Sequence, residues 1–221
     1  MFSATGTKGR HYLVCLVVAV IMLWTLVLVS CPQLYLAISD SLNWRLGTPS
    51  ALQARLETTL RAIHLRGDSL IGDQSTLLFG DSHLHSLPTS LLEGAVVNYA
   101  IGGETAEHLA ERVTQYKSLD RVRQVVLLSG RNDLRYGKSP QAIAISMGSV
   151  LGRIPAMSRV AIVGIPPMRH ADAAEGATRA TNHLLARLCA DRAGCVFVDT
   201  QNLADSSGAL RADFAMADGF I

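Results

Sequence analysis

The chain has 221 residues, about one and a half average domains, and its composition already excludes several classes of protein. Apolar residues make up 49% of it and the mean hydropathy is +0.26, which is high for a wholly soluble protein and predicts a membrane segment. The 20 basic and 18 acidic residues leave a net charge of only +2, and 5% of the residues are aromatic. This balance argues against a nucleic-acid partner, because such proteins need a basic surface or aromatic stacking platforms.

The first long apolar segment is residues 12–31, which contain no charged residue. As a helix these residues would extend about 30 Å, the thickness of the hydrocarbon core of a bilayer. Lys8 and Arg10 precede the segment, so the positive-inside rule predicts a short cytoplasmic tail, residues 1–11, before a transmembrane anchor, residues 12–31. The expected location is the bacterial inner membrane, with the rest of the chain in the periplasm.

Two other processing routes remain open for this segment. A cleaved secretory signal has a shorter apolar region, of about 7–15 residues, and an A-x-A-like site that is absent here. The run Leu28-Val29-Ser30-Cys31 is similar to a lipobox, in which Cys31 would carry a lipid. Either an uncleaved anchor or a lipidated cysteine would tether the chain to a membrane.

Residues 32–74 are predicted to form a linker and an amphipathic helix. Leu52, Leu56, Leu60 and Ile63 recur at the spacing of one helix face over residues 51–65, and Ser50 is a suitable N-cap. We expect this helix to serve as a stalk, or to pack between the membrane and the folded domain.

From Ser75 onwards, short apolar runs alternate with helical patterns, which predicts a folded domain over residues 75–221. The predicted strands are Thr76–Phe79, Val96–Ala100, Val122–Leu128, Val160–Ile165 and Cys195–Val198, and the predicted helices lie near Glu104–Leu119, Pro140–Arg153 and Ala171–Cys189. Repeated β-α units with continuously apolar strands indicate an α/β fold, a three-layer α/β/α sandwich around a five-stranded parallel sheet. In such sheets ligands bind at the carboxyl ends of the strands.

Three of the predicted strands end in residues that can support acyl-transfer chemistry. The first ends in Gly80-Asp81-Ser82, where a serine on the turn can act as a nucleophile. The second is followed by Gly102-Gly103, whose backbone can approach a substrate closely and donate an N–H to an oxyanion. The third is followed by Gly130-Arg131-Asn132-Asp133, which puts a side-chain amide at the same edge of the sheet.

In this order and register, the three motifs resemble those of the SGNH, or GDSL, hydrolases, a flavodoxin-like family of esterases, lipases, thioesterases and polysaccharide deacetylases. The resemblance extends from about Thr76 to the end of the chain. It implies that Ser82 is the nucleophile and that Gly103 and Asn132 donate hydrogen bonds to the oxyanion. Gly102, Arg131 and His85 are the candidate substrate-binding residues.

The fourth motif departs from the family pattern D-x-x-H, in which a histidine is the base and an aspartate orients it. Asp218 matches the aspartate, but Ile221 occupies the histidine position. Three explanations stay open: a shortened form of a longer enzyme, replacement of the base by a histidine such as His83 or His85, or a non-catalytic relative that binds an acylated ligand.

The resemblance and the predicted export together suggest a serine esterase that removes acyl groups from a cell-envelope or exported polysaccharide. The alternatives are a lipolytic esterase and a catalytically impaired accessory protein of a polysaccharide-synthase complex of the cellulose type. We expect no cofactor and no metal. Cys189 and Cys195 could form a disulfide in an oxidising compartment or remain two buried thiols.

Overall fold

The computed structural model describes residues 6–31, 33–34, 38, 51–168 and 175–214, which fall into two compact units, Met1–Ser50 and Ala51–Ile221. The first unit contains helix α1, Gly6–Ser30. Many of its apolar side chains are exposed, for example Leu16, Leu23 and Leu26. Among the described residues, none of the helices combines the length and the apolar character needed to cross a bilayer. The transmembrane helix predicted over residues 12–31 is therefore not confirmed.

The second unit is built from alternating strands and helices. The strands are β1 (Thr76–Gly80), β2 (Val96–Asn98), β3 (Gln124–Leu128), β4 (Arg159–Val163) and β5 (Cys195–Val198). The helices are α2 (Ala51–Gly67), α3 (Ser82–His85), α4 (Ala106–Arg112), α5 (Arg131–Arg135), α6 (Pro140–Arg153) and α7 (Glu175–Ala190).

The five strands form one parallel sheet in the order β2-β1-β3-β4-β5, as the sequence pattern predicts. After β1 the chain first adds β2 on one side and then returns to add β3 on the other. The strand order thus reverses next to β1, and the loops leaving β1, β2 and β3 meet at one edge. This is the position where open α/β sheets bind ligands.

Alternate residues of each strand point to opposite faces of the sheet, and the two faces are covered differently. One face carries Leu77, Phe79, Leu127 and Ile162, which pack with α4, α6 and α7 in the main hydrophobic core. The other face has a small cluster around Leu78 and Leu128, to which α3 contributes Leu84.

Strand β5 is not buried on both faces. Its Val196 and Val198 are 63% and 43% exposed, because β5 is an edge strand and no described helix covers that side of it. Among the described α-helices, α3 is the one that contributes a buried side chain, Leu84, to the cluster on the face where the second helical layer of the expected three-layer sandwich would lie.

The helix expected near Glu104–Leu119 is shorter than predicted. The hydroxyl of Thr105 caps α4 by accepting a hydrogen bond from the His108 amide, and α4 ends at Arg112. Two 3₁₀ segments, Val113–Gln115 and Lys117–Asp120, follow it. The helix predicted over Pro140–Arg153 is confirmed, with Ser139 as its N-cap.

Helix α2 is confirmed, but its apolar stripe does not face the domain. Leu52, Leu56 and Ile63 are exposed to solvent in this unit. Polar side chains of α2, such as Gln53 and Arg61, contact the domain, and Leu65 near the end of the helix packs against the main hydrophobic core.

Cys189 and Cys195 form a disulfide that joins the end of α7 to the first residue of β5. The sequence leaves open whether these two cysteines are bonded or remain free thiols, and in the structure they are bonded. The disulfide closes a short loop, a type of cross-link that stabilises a fold mainly by restricting the unfolded chain.

The glycine of the Gly80-Asp81-Ser82 motif allows two strand ends to approach closely. A Cβ on Gly80 would overlap the Leu128 carbonyl oxygen and lie 2.9 Å from the Leu128 carbonyl carbon, and neither backbone atom can move without displacing β3. We expect Gly80→Ala to lower the free energy of unfolding by about 3 kcal/mol or to prevent folding.

Gly152→Ala in α6 is the matched control, because a Cβ at Gly152 has no atom within 4 Å. It should stabilise the protein by about 0.5–1 kcal/mol. Both free energies can be measured by denaturant unfolding, and equal stability of the two variants would contradict the close approach of β1 and β3.

Candidate active site

Ser82 is the first residue of α3, directly after the end of β1. The preceding Asp81 is fully buried, and its Oδ1 accepts hydrogen bonds from the His83 backbone N at 3.0 Å and the His83 Nδ1 at 2.9 Å. Asp81 therefore caps the short helix and fixes the direction in which the chain leaves the strand. Ser82 itself is half-buried at the edge of the sheet.

The end of β2 holds α3 in place. Asn98 Nδ2 donates a 2.6 Å hydrogen bond to the Leu84 carbonyl, and Asn98 Oδ1 accepts one from the Ala100 backbone N at 3.0 Å. One side chain thus ties the serine-bearing turn to the loop that carries Gly102 and Gly103. We call residues 101–105 the glycine loop.

The glycine loop lies against Ser82 and His85. A Cβ placed on Gly102 would lie 3.8 Å from Ser82 Cβ and 3.2 Å from His85 Nδ1. The Gly102 backbone N donates a 3.0 Å hydrogen bond to His85 Nδ1. Because a backbone N–H can only donate, this His85 nitrogen must be unprotonated, which puts the proton of the neutral ring on Nε2.

His83 has the opposite arrangement of ring nitrogens. A carboxylate only accepts hydrogen bonds, so the 2.9 Å contact with Asp81 Oδ1 requires a proton on His83 Nδ1. The Nε2 of a neutral His83 then carries the lone pair. Of the two histidines that follow Ser82, His83 is therefore the one that keeps a proton-accepting nitrogen.

The first turn of α5 contributes two buried side chains to the same edge. Asn132 Nδ2 donates a 2.9 Å hydrogen bond to the Glu104 carbonyl, and Asp133 Oδ2 accepts one of 2.8 Å from the Ala106 backbone N. The amide of Asn132 has two hydrogens, so one remains for another acceptor. Burial raises the pKa of Asp133, whereas its hydrogen bonds from backbone N–H groups and the nearby charge of Lys138 act to lower it.

Glu104 is buried and paired with Arg112. Its two carboxylate oxygens accept hydrogen bonds from Arg112 Nε and Nη2. Arg112 Nη2 also donates to the Tyr99 carbonyl at 2.7 Å, and Arg112 Nη1 to Tyr116 Oη at 2.7 Å. Burial raises the pKa of Glu104 to about 7, while the bonds from Arg112 act in the opposite direction.

The sequence-predicted residues thus divide into three groups. Ser82, Gly102, Gly103, Asn132 and His85 lie together at the carboxyl edge of the sheet. Arg131 Nη2 donates to the Pro166 carbonyl at 2.8 Å and so contacts the loop after β4. Asp218 and Ile221 lie outside the described residues, and the fourth motif is not tested.

Sequence reasoning missed several residues that support the site, among them Asn98, Arg112 and Gln53. Gln53 belongs to α2, and its Nε2 donates to the Gly102 carbonyl. None of these contacts follows a local spacing rule, since they join residues 8 to 49 positions apart. An acid eight residues before an arginine, as in Glu104 and Arg112, is too common a pattern to indicate a buried pair.

A model of the GDSL-like lipase/acylhydrolase family matches residues 65–220. The chain belongs to this family. The match covers the sheet and all three motifs, and it supports an acylhydrolase or esterase activity. A comparison with curated proteins gives no match.

Solved structures share the GDSL fold with this chain. One is a Streptococcus pneumonia protein provisionally described as a platelet activating factor, with a TM-score of 0.68 and 17% identity over 84% of this chain and 90% of that one. A provisionally assigned acylhydrolase from Bacteroides fragilis has a TM-score of 0.60 and 16% identity over 71% of this chain and 85% of that one. A GDSL-like lipase from Bacteroides thetaiotaomicron has a TM-score of 0.57 and 14% identity over 72% of this chain and 87% of that one. At these identities the likeness concerns the fold.

His64 of α2 packs beside the buried arginine, with its ring centroid 5.1 Å from that of Tyr99. Burial lowers the pKa of His64 from its ordinary value of 6.5 to about 4, with further lowering by Arg112 and His85. As the pH is lowered, the unfolded chain therefore binds a proton at His64 at a higher pH than the folded protein does. We expect stability to fall as the pH drops from about 6.5 to 4, and His64→Gln to reduce that loss.

Thermal unfolding of the two proteins between pH 7 and pH 4 measures this difference. His183→Gln, on the exposed side of α7, serves as the control and should keep the wild-type pH profile. Identical profiles for wild type and His64→Gln would contradict the lowered pKa.

Proposed function

We propose that this chain is a serine esterase that hydrolyses ester-linked acyl groups through Ser82. The observation that carries the proposal is the convergence of three strand-end motifs. The glycine loop lies against Ser82, and Asn132 is hydrogen-bonded to the Glu104 carbonyl of that loop. The family match supports the same class of reaction.

In this proposal Ser82 Oγ attacks the carbonyl carbon of the ester and gives its proton to a base, for which His83 Nε2 is our choice. The negative oxygen of the tetrahedral intermediate accepts hydrogen bonds from the Gly103 backbone N, the second amide hydrogen of Asn132 and the Ser82 backbone N. The alcohol then leaves with a proton, and water releases the acyl group from Ser82. One such donor is typically worth about 2.7–4 kcal/mol of transition-state stabilisation.

The first experiment is labelling of the detergent-solubilised full chain with a fluorophosphonate, which reacts covalently with activated serines. Wild type should be labelled and Ser82→Ala should not, with circular dichroism showing that both are folded. Ser86→Ala is the matched control, because its hydroxyl only donates to backbone carbonyls of its own turn, such as Ser82 O at 2.9 Å. Folded wild-type protein that resists labelling would contradict the hydrolase proposal and favour a polysaccharide-synthase accessory role.

The base is tested with the same probe. His83→Gln should reduce the labelling rate by a factor of about 10² or more, whereas His85→Gln should leave a measurable rate. Equal losses would contradict the assignment of His83.

For the substrate we propose O-acyl groups, in particular acetyl groups, of a cell-envelope or exported polysaccharide. Support comes from the expected export of the chain and from the Cys189–Cys195 disulfide, a bond typical of oxidising compartments. The protein should then release acetate from an O-acetylated polysaccharide faster than fatty acid from a triacylglycerol emulsion. The reverse preference would favour a lipolytic esterase.

We further propose that the first unit attaches the protein to the bacterial inner membrane, with the sheet domain in the periplasm. The support is the uncharged segment 12–31 and the exposed apolar side chains of α1.

The protein expressed with its full N-terminus should remain in the membrane pellet after alkaline carbonate extraction, and Val18→Asp should weaken this retention because it puts a charge into the apolar segment. Mass analysis of the N-terminal peptide distinguishes a lipid on Cys31 from attachment by the helix alone. Recovery of the wild type in the soluble fraction would contradict the proposal.

A further inference from the structure

Helix α2 precedes the family-matched residues 65–220 for most of its length, and yet it reaches the candidate active site. Leu65, near the end of the helix, packs against the main hydrophobic core, and the polar contacts of α2 with the domain come from one stripe. Gln53 bonds the Gly102 carbonyl, Glu57 lies 3.6 Å from His108, Arg61 Nε donates to Gln115 Oε1 at 2.8 Å, and His64 Nδ1 lies 3.4 Å from Tyr116 Oη.

The spacing of these four residues follows one face of a helix, with steps of four, four and three positions. The stripe therefore runs along α4 and the 3₁₀ segment after it, and it ends at the glycine loop. Because hydrogen bonds are directional, the polar contacts fix the position of α2 along its axis as well as its rotation.

Gln53 is the member of the stripe that contacts the site itself. Its Nε2 donates to the Gly102 carbonyl, and its side-chain amide occupies the space that a Cβ on Gly103 would need. Gly103 has a φ of +81°, which L side chains rarely adopt. The backbone conformation thus requires glycine at this position, and the amide of Gln53 lies on the side where a Cβ would be.

The geometry of the peptide bond links this contact to the expected chemistry. The peptide between Gly102 and Gly103 is planar and trans, so the Gly102 C=O and the Gly103 N–H point in opposite directions. A hydrogen bond that fixes the carbonyl therefore also fixes the direction of the N–H. On the other side of Gly102, its own N–H is held by His85.

We propose that Gln53 is a positioning residue that orients the Gly103 N–H for hydrogen bonding to the oxyanion. This inference rests on the proposed function of the site. It assigns a role to a residue outside the three motifs, and it makes α2 part of the active site rather than a connecting segment.

The test compares Gln53→Leu with Arg61→Leu in the full chain. Leucine at position 53 has a similar volume but no N–H group, so the Gly102 carbonyl loses its donor. Arg61→Leu removes another hydrogen bond of the same stripe, two turns from the glycine loop, and controls for the docking of α2.

We expect Gln53→Leu to reduce the fluorophosphonate labelling rate and kcat for a short-chain ester by a factor of about 10–100, with little change in KM. This is less than the factor of about 10²–10³ for complete removal of an oxyanion donor, because the Gly103 N–H remains present but is less well oriented. Arg61→Leu should stay within about twofold of wild type. Equal losses in both variants, or no loss in Gln53→Leu, would overturn the proposal.

A second measurement does not depend on activity. The sequence contains a single Gly-Gly pair, so protein labelled with ¹³C- and ¹⁵N-glycine gives one carbonyl-to-amide correlation for the Gly102–Gly103 peptide by NMR. This signal should shift in Gln53→Leu and stay in place in Arg61→Leu, and an unshifted signal in Gln53→Leu would overturn the proposal. If the wild type does not react with the fluorophosphonate but the signal shifts as expected, the esterase function is wrong and the contact of Gln53 with the loop still stands.

Discussion

The buried ion pair between Glu104 and Arg112 is the interaction on which the geometry of the site depends. Arg112 is 1% exposed and binds the Glu104 carboxylate, the Tyr99 carbonyl and the Tyr116 hydroxyl. Its guanidinium therefore connects the end of β2, the glycine loop and the segment after α4. Loss of one partner from such a pair typically costs about 3–5 kcal/mol, because a charge is left buried without compensation.

The backbone of the glycine loop is held from several directions. The Glu104 carbonyl accepts from Asn132, the Gly102 N–H donates to His85, and the Gly102 carbonyl accepts from Gln53. Preorganised donors matter in acyl transfer, since a group that is already oriented needs no rearrangement when charge develops on the substrate. The loop combines backbone freedom at Gly103 with polar contacts that restrict this freedom to one conformation.

The parallel topology explains why distant motifs can serve one site. Residues that leave β1, β2 and β3 arrive at the same edge because the three strands are adjacent and point in one direction. The Gly80 motif adds a steric condition, since the end of β1 approaches the Leu128 carbonyl so closely that no side chain fits between them. The fold thus supplies the proximity of the motifs, and local contacts such as Asn98 with Leu84 supply their orientation.

Much of this arrangement can be predicted from the sequence. The apolar runs that became β1 to β5 indicated a parallel sheet, because strands covered by helices need apolar residues on successive positions. The three motifs could be placed at the carboxyl edge, since each directly follows a strand. The tertiary structure alone decided the roles of Glu104, Arg112 and Gln53, whose partners are distant in the chain. It also decided how α2 packs, with Leu52 and Leu56 exposed, Gln53 and Arg61 facing the domain, and Leu65 packed against the main core. A hydrophobic stripe reports which face of a helix is apolar, whereas the choice of the packed face depends on both the apolar surface and the hydrogen-bonding groups that the neighbouring elements present.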